Sequence, residues 1–72
     1  MSELSSVRAL ERGLTIIAIL NRHNGLTVTQ IGKLSNLPRP TAYRLLRTLE
    51  SLGYILEMKE IKTIGLVQKY DL

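Results

Sequence analysis

The stretch Leu37-Pro38-Arg39-Pro40-Thr41-Ala42-Tyr43-Arg44-Leu45-Leu46-Arg47-Thr48-Leu49-Glu50-Ser51-Leu52-Gly53-Tyr54 decides how this sequence folds. Its apolar residues Ala42, Leu45, Leu46, Leu49 and Leu52 recur at three- and four-residue steps, the period of one helix face. Pro40 suits the first helical position, where a missing N–H costs nothing, and Arg39, preceding a proline, disfavours helical torsions. The spacing predicts a helix over 40–52. Gly53 stands where a left-handed cap belongs, and Tyr54 can fold back on Leu49 in a Schellman-type ending. At ~100° per residue, Pro40, Arg44, Arg47 and Ser51 fall nearly opposite the apolar stripe. Tyr43 flanks them on one side, and Thr41 and Thr48 on the other.

Working towards the N-terminus, Thr27-Val28-Thr29-Gln30 fits a capping box, with Val28, Ile31 and Leu34 forming one apolar face behind it. That predicts a short helix over 28–35, stopped by Asn36, with Leu37 plugging the core beneath the turn. Two helices joined through 36–39 make a helix-turn-helix, in which the second helix docks in a DNA major groove. A third helix is expected over 6–23, from Val7, Leu10, Leu14, Ile17 and Leu20. Ser5 or Ser6 can cap its start, and Asn24-Gly25 can end it. Gly13, inside it, costs ~1 kcal/mol relative to alanine and can mark a close contact with another helix or subunit.

Beyond Gly53 the pattern admits two readings. Tyr54-Ile55-Leu56 and Ile64-Gly65-Leu66 can pair as a hairpin over 54–66, turning around Lys59-Glu60. Met58, Ile61 and Ile64 also fit a weak helix face, and no Asn-Gly or Asp-Gly marks a tight turn. Residues 67–72 read as the start of a linker.

The 72 residues make one small domain, 44% apolar, with neither Phe nor Trp. A chain this short buries only ~60% of its unfolded surface, so the core is thin. With no cysteine, one histidine and six scattered acids, the sequence offers no catalytic or metal constellation. No enzyme and no cofactor are expected. His23 reads as an exposed residue after a helix. The N-terminus lacks the pattern of a signal peptide, and no apolar run is long enough for a membrane span, so a cytoplasmic protein without a membrane partner is expected.

Net charge is +4, and Lys33, Arg39, Arg44 and Arg47 fall within 33–48 with no acid among them. Such a one-sign field favours a polyanion, here double-stranded DNA. Arg39, Thr41, Tyr43 and Arg44, nearest the helix N-terminus, are the candidate base contacts. Arg47 and Thr48 are candidate phosphate contacts, as are Thr27 and Thr29 at the N-terminus of the preceding helix. Lys59 and Lys62 join them from the hairpin tip, although Glu57 and Glu60 lie among them. The competing reading is a winged-helix module for protein interaction or dimerisation without DNA readout; its exposed helix would carry apolar anchors rather than Arg44, Arg47, Thr41 and Thr48.

These residues resemble the N-terminal domain of IclR-type transcriptional regulators. Arg8-Ala9-Leu10, Leu26-Thr27, the string from Leu37 to Glu50 and Gly53-Tyr54 carry the resemblance, which covers about two-thirds of the chain. It implies a mainly α fold with a small β-hairpin, a winged helix-turn-helix of three helices plus a wing. It also implies sequence-specific operator binding by a bacterial or archaeal regulator that forms a homodimer through the first helix. A small effector is expected only for a separate C-terminal domain outside these 72 residues, so the chain is expected to be a fragment. Two departures stand out. Pro40 replaces the family's usual small hydroxyl residue, and the hairpin lacks the usual Asp/Gly-rich tip and arginines.

Overall fold

The computed structural model describes residues 7–23, 25–58 and 60–68. Three helices, α1 (Arg8–Arg22), α2 (Val28–Ser35) and α3 (Arg39–Ser51), precede an antiparallel hairpin of β1 (Ile55–Met58) and β2 (Thr63–Leu66). This is a mainly helical winged helix-turn-helix.

Each boundary has a local cause. Thr27 closes the predicted capping box on α2: its Oγ1 accepts from the Gln30 N–H at 3.1 Å, and its own N–H donates to Gln30 Oε1 at 2.9 Å. Asn36 ends α2 in the left-handed conformation (φ 58°), with the Leu37 N–H donating to the Gly32 carbonyl and the Asn36 N–H to the Lys33 carbonyl. The same two-bond pattern ends α3. Gly53 has φ 89°, the Tyr54 N–H donates to the Leu49 carbonyl, and the Gly53 N–H to the Glu50 carbonyl, each at 3.0 Å.

Two helix starts differ from expectation. α3 begins at Arg39, with Pro40 in its second position, and ends at Ser51, one residue earlier than the 40–52 reading at both ends. Pro38 is the N-cap, and its carbonyl accepts from the Ala42 N–H at 3.0 Å. Closing that first turn outweighs the restriction that Pro40 places on Arg39. α1 begins at Arg8 after an extended Val7 that makes no side-chain cap. The proposed caps Ser5 and Ser6 lie outside the described residues, as does Asn24. Gly25 takes the left-handed conformation (φ 72°) after α1.

The hairpin reading holds over the helical alternative. Ile55 pairs with Leu66 and Glu57 with Ile64, and Ile55 and Ile64 are buried whereas Met58 and Ile61 are exposed. Lys62 at the turn is left-handed (φ 56°). An isolated bridge links Leu26 to Ile64 through two backbone bonds of 3.1 and 2.7 Å. It stitches the connection between α1 and α2 to the outer side of β2, a pairing that no local pattern announces.

The core joins all elements through Ile16, Ile17, Leu20, Ile31, Leu46, Ile55 and Ile64, with Leu37 packed against it beneath the turn as expected. The expected stripe on α1 is corrected. Ile17 and Leu20 are buried, but Leu10 is 61% exposed and Val7 and Leu14 are exposed too; Ile16 takes the central place at 0%. Helix α1 is apolar on more than one face, so period alone does not identify the face that meets α2 and α3.

Candidate nucleic-acid interface

Burial of Ala42 and Leu46 fixes the rotation of α3. Opposite them, Arg39, Pro40, Tyr43, Arg44, Arg47, Thr48 and Ser51 are exposed, while Thr41 is half-buried. The Arg47 guanidinium lies over the Tyr43 ring, 5.9 Å from its centroid, a cation–π arrangement one helical turn apart. The Thr48 hydroxyl donates to the Arg44 carbonyl at 3.2 Å and the Ser51 hydroxyl to the Thr48 carbonyl at 2.8 Å. Those hydroxyl protons are therefore engaged by the helix itself, which leaves the oxygens as acceptors and the Thr48 methyl outward-facing chemistry.

Three of the grooves beside this helix bear on its outward face. The first, about 490 Å³, lies at the turn and is lined by Thr29, Lys33, Leu37, Pro38 and Arg39 among others. It joins Thr29 and Arg39, two of the expected contacts, and adds Lys33, four residues after Thr29 on the exposed side of α2. The second, also about 490 Å³, joins Ala9 of α1 to Thr41, Arg44, Arg47 and Thr48. Among the described residues, neither groove is lined by an acid. The third, about 380 Å³, runs between α3 and the hairpin and brings Tyr43 and Arg47 beside Glu50 and Glu57.

The last grouping was not legible from the charge run. Along the chain the acids stand outside 33–48, yet folding returns two of them to the wing side of the helix. Thr27 is half-buried, and its side chain is taken up by the capping box; Thr29 beside it is exposed. Lys62 is exposed at the hairpin turn, and Lys59 lies outside the described residues. The described residues hold no cluster of three or more metal-ligating side chains, and no described helix is long and apolar enough to cross a membrane.

A buried helix-turn-helix with a basic outward face on its second helix, backed by a hairpin, defines a DNA-binding domain of the winged helix-turn-helix class. The family profile of the IclR helix-turn-helix domain matches residues 9–57, and the chain belongs to that family. A protein of Haemophilus influenzae described as an uncharacterized HTH-type transcriptional regulator is 41% identical over 49 residues. That stretch is 67% of this chain but 18% of the relative, so the chain spans less than a fifth of the relative's length.

Proposed function

We propose that this domain reads an operator sequence in double-stranded DNA for a bacterial or archaeal transcriptional regulator. The observation that carries this reading is the outward face of α3, where Arg44 and Arg47 stand exposed opposite the buried Ala42 and Leu46. Arg44, with Thr41 and Tyr43 beside it and Arg39 at the helix start, reads base edges. An arginine there has the fork to bond guanine O6 and N7 together. Arg47 and Thr48 meet phosphates, as do Thr27 and Thr29 at the N-terminus of α2, where free N–H groups favour an anion. Lys59 and Lys62 approach the backbone from the wing.

The regulator acts as a homodimer through α1. In support, an apolar groove of about 600 Å³ between α1 and α3 is lined by Leu10, Gly13, Leu14, Leu49, Leu52 and Tyr54, among others. Leu10 and Leu52 are 61% and 65% exposed there, so the groove offers apolar side chains that a second copy could cover. The protein is placed in the cytoplasm, where its DNA is.

Selection of bound sequences from a random duplex pool tests the reading. It should return a consensus with two related half-sites separated by one or more helical turns. A pool that stays random after repeated selection removes the operator-reading role.

A further inference from the structure

Three of the grooves around α3 differ in charge among the described residues. The turn groove carries Lys33 and Arg39, and the α1-side groove carries Arg44 and Arg47, with no described acid lining either. In the wing-side groove the described charges are the Arg47 guanidinium and two carboxylates, Glu50 from α3 and Glu57 from β1. Both acids are exposed, and among the described residues neither forms an ion pair. Glu57 is two residues from the buried Ile55 and pairs across the hairpin with the buried Ile64, so its side chain leaves the face turned towards α2 and α3. Glu50 is three residues after Arg47 on the same helix flank. Both residues therefore border the space between recognition helix and wing.

We propose that Glu50 and Glu57 repel the phosphate backbone from the groove between α3 and the hairpin, and so weaken the sequence-independent part of DNA binding. This rests on the DNA-binding reading above. A phosphate in that groove would face two like charges and one cation, which itself stacks on Tyr43. Binding to any sequence depends mostly on phosphate contacts, whereas base contacts through Arg44 lie on the other flank. Repulsion on the wing side thus subtracts from the sequence-independent part of affinity, while Arg44, which lines the α1-side groove, keeps its base contact. Lys62, at the turn, does not line this groove and can still meet a phosphate beyond it.

The test compares Glu57→Gln, Glu50→Gln and the double variant with Glu11→Gln. The last makes the same change in net charge in the first turn of α1, outside the groove. Binding of each 72-residue protein to a labelled pool of random-sequence duplex is followed by fluorescence anisotropy between about 50 and 200 mM salt. Each groove variant should bind random duplex on the order of threefold more tightly than wild type. The gain should exceed that of Glu11→Gln, and the double variant should show a salt slope steeper by up to about one. Gains no larger than that of Glu11→Gln, or a loss of binding, overturn the proposal. If wild type itself shows no salt-dependent binding, the DNA-binding reading falls first and the inference with it.

Discussion

The central carbon of the Arg47 guanidinium stands 5.9 Å from the centroid of the Tyr43 ring, so the two side chains on the outward face of α3 are positioned as a pair. Exposed cation–π pairs contribute ~0.5–1 kcal/mol. A double-mutant cycle of Tyr43→Leu and Arg47→Ala, read by urea unfolding, should therefore show a coupling of about that size. Strict additivity would mean that the ring does not hold the guanidinium.

Arg44 and Arg47 should separate by role. Arg44→Ala is expected to cost ~1–3 kcal/mol on a selected site and to relax preference at one base position. Arg47→Ala should weaken selected and random duplex alike and lower the salt slope by about one. Parallel titrations on both duplexes decide it; identical behaviour of the two variants contradicts the assignment.

Much of this arrangement is legible in the sequence because it is local. The Thr27–Gln30 box, the stop at Asn36, the Gly53-Tyr54 ending and the outward face of α3 depend on neighbours within one or two helical turns. What escaped the sequence is what distant residues decide. The buried face of α1 depends on which of several apolar rows meets α2 and α3. The Leu26–Ile64 bridge joins segments far apart along the chain, and the groove shared by Glu57 and Arg47 depends on how the hairpin packs on α3. The start of α3 at Arg39 shows a weak backbone preference giving way to a hydrogen-bonded turn.

The helix endings set a stability test. Gly53 has φ 89°, and a Cβ built there meets no atom within 4 Å, so Gly53→Ala should lose stability through backbone strain alone. The expected loss is ~1–2 kcal/mol in urea unfolding. An unchanged midpoint would mean that the turn relaxes without the left-handed residue.

Thr63 offers the opposite sign. Its Oγ1 is buried without a hydrogen-bond partner among the described residues, and it is the nearest atom, at 3.4 Å, to a Cβ built on Gly25. Replacing an unsatisfied hydroxyl with a methyl of similar shape removes a desolvation cost of ~1–3 kcal/mol. Thr63→Val should raise the thermal midpoint; a lowered one would show that the hydroxyl is satisfied in solution.

The dimer contact proposed for α1 can be probed without disturbing the core. Leu10 is 61% exposed and lines the apolar groove between α1 and α3. Leu10→Lys should leave helix content intact while shifting the protein from dimer to monomer in sedimentation velocity. A variant as dimeric as wild type moves the subunit contact away from α1.

The measurement that tests the central claim most directly is the salt dependence of binding to duplex DNA. The account predicts that log affinity falls linearly with log salt, with a slope of about −0.9 for each phosphate neutralised and at least two such contacts per domain. An affinity that does not change with salt would contradict it, because the basic outward face of α3 would then not be what holds the DNA.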